Sequence, residues 1–143
     1  MRTFMKFATV LLLAGSATAC DELDALLPDY PEIAGTYDIS APINEVPGGR
    51  FTGTLSLLDD GTDTPGFSGS YSLSLYGPDG LNYGNFSGNV VAGTVSTSGG
   101  LSFNLDNNEF RWTGNINGRS MTGTWVLSST DGSYSGTFTG SRR

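Results

Sequence analysis

Apolar and polar residues alternate along most of this chain. In Phe51-Thr52-Gly53-Thr54-Leu55-Ser56-Leu57 the odd positions are apolar or Gly, and Thr or Ser stands between them. Period two marks a β-strand with one buried and one solvated face. One short phrase recurs inside these runs: a large apolar residue, then Ser or Thr, then Gly, then a small polar residue. It appears at Phe51, Phe67, Phe86, Trp112, Met121 and Tyr134. The pattern predicts many short antiparallel strands.

Eight strands follow from the alternation and its breaks. The first spans about 33–41 and turns Ile33, Gly35, Tyr37 and Ile39 to one face, ending at Pro42 and Pro47-Gly48-Gly49. The second runs about 50–58, with Phe51, Gly53, Leu55 and Leu57 inward. The third runs 67–76, with Phe67, Gly69, Tyr71, Leu73 and Leu75 inward. Gly77-Pro78-Asp79-Gly80 then forms a turn, because Pro presets φ and Gly allows φ > 0. The fourth starts near Asn82 and carries Phe86, Gly88 and Val90 inward. Val91 breaks the alternation, and Gly93 and Val95 resume in a shifted phase, which predicts a bulge or sharp bend. The fifth carries Leu101, Phe103 and Leu105; the sixth carries Phe110, Trp112, Gly114 and Ile116. Asn117-Gly118 is a tight-hairpin signal. The seventh carries Met121, Gly123, Trp125 and Leu127. After Asp131-Gly132 the eighth carries Tyr134, Gly136, Phe138 and Gly140.

Gly makes up 21 of 143 residues, about double the average usage. Many of these glycines face inward within strands, one step after a large residue. A small barrel bends its strands strongly, and Gly relieves crowding at such bends while a neighbouring aromatic covers the backbone. The fold expected is therefore all-β: an eight-stranded antiparallel up-and-down β-barrel, with a β-sandwich as the alternative.

The first residues follow another rule. Arg2 and Lys6 precede an apolar stretch from Phe7 to Ala14, too short to span a bilayer as a stable anchor. Small residues lead to Cys20, the only cysteine. Ala17-Thr18-Ala19-Cys20 resembles a bacterial lipobox, which implies lipidation of Cys20 and anchoring to a bacterial membrane, facing periplasm or cell exterior. The alternative is ordinary secretory cleavage after Ala19, which leaves an unpaired cysteine. Asp21 resembles the inner-membrane retention signal of one bacterial lineage that others do not follow, so inner and outer membrane both stay open. The expected division is a signal peptide at 1–19, the lipidated cysteine and an acidic tether at 20–32, and the barrel at 33–143. Fully extended, the tether reaches about 40 Å. Leu23, Leu26 and Leu27 share a helical face, so one turn of helix docked on the domain is the alternative to a flexible tether.

Charge narrows the partners. Without the leader, five arginines face fourteen carboxylates, a net charge of −9. Such a surface repels nucleic acid and anionic headgroups. No histidine occurs anywhere, and the single lysine lies in the leader. Imidazole base chemistry and Schiff-base chemistry are thereby excluded. A glycosidase needs only two carboxylates, but the acids here cluster in the tether and turns. The expectation is a non-enzymatic protein with no cofactor and no metal.

Gly35-Thr36-Tyr37 resembles the lipocalin G-x-W opening, with Tyr in place of Trp, and the similar Gly-Thr-aromatic start of avidins. Arg142, at the end of the last strand, is placed where lipocalins set a basic residue over the first-strand aromatic. This resemblance to the calycin-type barrels implies a barrel that binds a small apolar molecule.

The aromatics expected inward are Tyr37, Phe51, Phe67, Tyr71, Phe86, Phe103, Phe110, Trp112, Trp125, Tyr134 and Phe138. Tyr37, Phe51, Tyr71, Phe86, Phe103, Trp112, Trp125, Tyr134 and Phe138 are the candidate cavity lining. Two readings compete, because eight strands make a ring just wide enough to be filled by side chains or to hold one small ligand. Asp59, Asp60 and Asp63 form an acidic loop, read either as a calcium site or as turn-forming residues. The outward Ser/Thr rows are read as a solvated face, with docking of a polymer or glycan as the alternative.

Overall fold

The computed structural model describes residues 28–60 and 64–143. The leader, Cys20, the leucines at 23, 26 and 27, and Asp63 lie outside the described residues. Eight strands follow in chain order: β1 Gly35–Pro42, β2 Arg50–Asp59, β3 Gly66–Tyr76, β4 Asn82–Val95, β5 Gly100–Leu105, β6 Phe110–Asn117, β7 Ser120–Ser129 and β8 Gly132–Arg142. Each pairs antiparallel with its neighbours, and β8 returns to β1, so the sheet is a closed up-and-down barrel. The closing seam is short, with four residue pairs from Tyr37↔Arg142 to Ser40↔Thr139.

Two elements depart from the simple alternation for physical reasons. β1 begins at Gly35, because Ile33 leaves the sheet, sits fully buried and accepts a 2.8 Å hydrogen bond on its carbonyl from the Tyr37 hydroxyl. In β4 the register with β5 jumps between Val91 and Thr94, and Ala92 has φ 52°. That is the phase change signalled by Val91: an extra residue is taken up, and inward facing passes from Val90 to Gly93 and Val95.

The inward glycines lie where neighbouring strands approach each other closely. Gly114 and Gly123 are directly opposite across β6 and β7. A Cβ on Gly123 would overlap the Thr113 carbonyl and stand 2.6 Å from Gly114 Cα and 2.8 Å from Phe138 Cε1. The Phe138 ring thus covers backbone that a side chain would otherwise cover. Gly136 makes a similar approach to the Pro42 carbonyl, beneath Trp125.

Aromatic rings fill the axis. Phe67 meets Phe103 at 5.9 Å between centroids, and Phe103 stacks on Trp112 at 5.7 Å. Trp112 contacts Phe138 at 4.8 Å and Trp125 at 6.4 Å. Trp125 meets Phe51 edge-on at 5.5 Å. Cross-strand register builds the column, since Phe103↔Trp112 and Trp112↔Trp125 are directly opposed pairs. The Trp125 indole donates to the Thr137 carbonyl at 3.1 Å, whereas the buried Trp112 Nε1 has no acceptor. Among the described residues no polar or charged residue is buried.

Candidate functional site: an apolar cleft at one end of the barrel

The two ends of the barrel differ. At one end the chain enters and leaves. Ile33 plugs the interior there, and the Arg142 guanidinium lies over the Tyr37 ring at 5.6 Å. Arg142 donates to the carbonyls of Gly118 at 2.8 Å and Glu32 at 3.1 Å, and stands 3.5 Å from the Glu32 carboxylate. The basic residue over the first-strand aromatic is therefore present. Burial, the largest influence, raises the Tyr37 phenol above its ordinary range, and the Arg142 charge opposes it.

The opposite end is formed by residues 43–49, 77–81, 106–109 and 130–131, the connections that leave β1, β3, β5 and β7. Here the column of rings stops short and an apolar cleft of about 420 Å3 opens. Its walls include Ile43 and Val46 from the β1–β2 loop, Phe51, Leu75, Pro78, Tyr83, Phe86, Leu127 and Tyr134. Phe51 is the floor, buried against Trp125, with Phe110 at 5.7 Å and Phe86 edge-on at 6.4 Å. None of the lining residues is charged.

Five hydrogen bonds hold the rim in shape. Glu45 accepts the Ser135 N–H and hydroxyl, each at 2.8 Å, and the Asn44 N–H donates to the Ser135 carbonyl at 2.8 Å. The β1–β2 loop is thus strapped to the neighbouring β8 at the rim, and the Ser135 backbone bond holds the Glu45 carboxyl below its ordinary range. The Tyr83 hydroxyl donates to Asp79 at 2.6 Å, which lowers the carboxyl and raises the phenol. The Tyr71 hydroxyl donates to Asp106 at 2.6 Å. Burial first, then that bond, push this phenol up to about 12.

The nine sequence candidates divide by height along the axis. Phe51, Phe86 and Tyr134 line the cleft. Phe86 and Tyr134 are 47% and 39% exposed, so they are walls rather than interior fill. Phe103, Trp112, Trp125 and Phe138 are stacked in the filled interior, Tyr37 lies under Arg142 at the far end, and Tyr71 is tied to Asp106. Sequence reasoning had not assigned Ile43, Val46 and Tyr83 to the site. Their signal is modest: large apolar residues in segments already broken by Pro42, Pro47 and Pro78. Asp59 ends β2, and the Asp60 N–H donates to the Gly66 carbonyl at 3.1 Å, which carries the β2–β3 pairing one bond further. Among the described residues no three acidic, Cys or His side chains gather as a metal site.

No protein-family model and no curated protein matches the chain. The architecture is an eight-stranded closed antiparallel barrel, compatible with a lipocalin-like fold.

Proposed function

We propose that this is a non-enzymatic binding module of the bacterial cell envelope, anchored through lipid on Cys20, which takes a small apolar ligand in the cleft at its open end. The cleft carries the reading: its lining has no charged residue, and its floor and walls are aromatic and aliphatic. Sites for small apolar molecules are built in this way, at the mouths of barrels among other places. The filled interior limits the ligand. It lies on Phe51 between Phe86 and Tyr134 and does not thread the axis, which Trp112, Phe103 and Phe138 occupy. That same filled interior favours a second reading, a structural or interaction module whose rim meets another envelope protein.

Trp125 stands 5.5 Å from Phe51, so its emission reports on the floor of the cleft. Native mass spectrometry of the purified protein should reveal a co-purifying apolar molecule. Titration with long-chain alcohols and isoprenoids should shift Trp emission and raise the melting temperature by mass action. Phe51→Ala should weaken both responses. A protein that carries nothing and responds to none of these probes would overturn the ligand reading and leave the interaction module.

A further inference from the structure

The two ends of the barrel treat their carboxylates differently. At the closed end, where Ile33 plugs the interior, acids meet arginines: Glu32 stands 3.5 Å from Arg142, and Asp38 accepts from Arg143 at 2.8 Å. At the open end they meet neutral donors. Glu45 accepts the Ser135 N–H and hydroxyl. Asp79 accepts the Leu81 N–H at 3.0 Å and the Tyr83 hydroxyl at 2.6 Å. Asp106 accepts the Asn89 N–H at 2.9 Å and the Tyr71 hydroxyl at 2.6 Å. These bonds hold the carboxylates in place without cancelling their charge. Among the described residues, the ion pairs are the two at the closed end. Glu109 and Asp131, in the other connections of the open end, add the same sign, against Arg50 and Arg111. The open end is therefore net negative.

Two of these carboxylates border the apolar cleft. Glu45 lies in the chain between the lining residues Ile43 and Val46. Asp79 follows the lining Pro78 and is bonded by the lining Tyr83. Both carboxyls are held below their ordinary range, by the Ser135 N–H and by the Tyr83 hydroxyl, so the lip stays charged into mildly acidic solution. Between them the lip is aromatic, and Tyr83, Phe86 and Tyr134 are 62%, 47% and 39% exposed. Aromatic faces attract cations. One ring of the lining already carries a cation in this way: the Arg50 guanidinium lies 5.2 Å from the Tyr76 centroid.

We propose that the ligand of the cleft is a hydrophobic cation, with an apolar body seated on Phe51 and an ammonium or quaternary ammonium head at the lip, beside Glu45 and Asp79 and against the exposed tyrosine rings. This rests on the reading of the cleft as a ligand site. The opposite amphiphile, an alkyl carboxylate or phosphate, would bring its head to fixed carboxylates, and Arg50, the arginine at the lip, already lies on Tyr76. A neutral ligand gains nothing from the acids. The head of a cation stays at the surface, so it keeps much of its hydration while the rings and the carboxylates both attract it.

Decyltrimethylammonium, decanol and decanoate share one chain and differ in head charge. Each is titrated into the purified full chain below micelle-forming concentrations, with calorimetry and Trp emission as readouts. At low salt the ammonium should bind at least about tenfold more tightly than the alcohol, and decanoate more weakly than either. The gap should narrow as salt shortens the screening length. Asp79→Asn keeps an acceptor for Tyr83 and Leu81 but removes the charge, so the gap should shrink. Asp38→Asn removes an equal charge at the closed end and should leave the gap as it is. Equal binding of ammonium and alcohol, or tighter binding of decanoate, would overturn the proposal and leave the cleft a ligand site. So would a gap that Asp79→Asn leaves intact. Ammonium binding that Phe51→Ala leaves unchanged would overturn it too, since the cation would then lie on the acidic surface outside the cleft. Binding of none of the three would overturn this proposal and the ligand reading together.

Discussion

Gly123→Ala probes the reason for the repeated inward glycine. The added methyl would overlap the Thr113 carbonyl and stand 2.6 Å from Gly114 Cα and 2.8 Å from Phe138 Cε1. Comfortable carbon contacts are about 3.5–4.0 Å. Two of the three neighbours are backbone of β6, and β6 is locked into a closed ring, so relief requires strands to part. Overpacking of this kind costs about 1–3 kcal/mol, and the rigid neighbours place it at the upper end. Replacing Gly also restricts the unfolded chain, which returns about 0.4–1 kcal/mol. The net loss is about 2 kcal/mol. With an unfolding entropy near 2.1 cal/mol/K per residue over about 110 residues, that lowers the melting temperature by about 9 °C. Gly84→Ala is the control. Its nearest neighbour is the tip of the half-exposed Phe86 ring at 3.2 Å, which can swing aside, so this variant should stay within about 0.5 kcal/mol of wild type. Thermal and urea unfolding of both variants decide the matter. If Gly123→Ala loses no more stability than Gly84→Ala, close strand approach is not why glycine stands inward.

Three further outcomes are expected. In a spectrophotometric titration of the tyrosines, one phenol should resist ionisation until about pH 12 and disappear from the curve in Tyr71→Phe. Its pKa is raised in the folded state, so its share of stability is complete below the ordinary phenol range and is lost as pH climbs from there through about 12. The Ser135 amide resonance should follow the Glu45 carboxyl. Because that carboxyl is held below its ordinary range, the strap is intact at higher pH and releases as pH falls through the lowered value; in Glu45→Gln the titration should vanish and Ser135 should exchange faster. Cys20→Ala, expressed in a bacterium with two membranes, should move the protein from the membrane to the soluble fraction; continued membrane partitioning would refute lipid anchoring.

Strand order and the inward face were legible because the alternation is strict and the turns carry Gly, Pro and Asn. Even the irregularity in β4 showed, since Val90 and Val91 cannot both face inward in a regular strand. What alternation does not encode is relative strand length. Phe86 has an inward phase, yet β5 ends at Leu105 and leaves the ring half uncovered. Tyr134 likewise has the right phase but sits at the rim. Whether rings fill the axis or surround a space also depends on rotamers and register, so the stack from Phe67 to Phe51 could be settled only in three dimensions. The Glu45–Ser135 strap joins residues 90 apart, with nothing local to announce it.

The short seam between β1 and β8 has a kinetic consequence. Every other strand pair joins neighbours in the chain, so each can zip from its own turn. The last seam must bring residues about a hundred positions apart together for four pairs, and closing so long a loop costs entropy before any contact repays it. The chain places its longest-range side-chain bonds along this seam: Arg142 to Glu32 and Ala34, Arg143 to Asp38, and Asn44 and Glu45 to Ser135. Folding should therefore run through an open, curled sheet that closes last. In the native state, spontaneous breathing should begin at this one joint, with amides of β1 and β8 exchanging before those of β6 and β7.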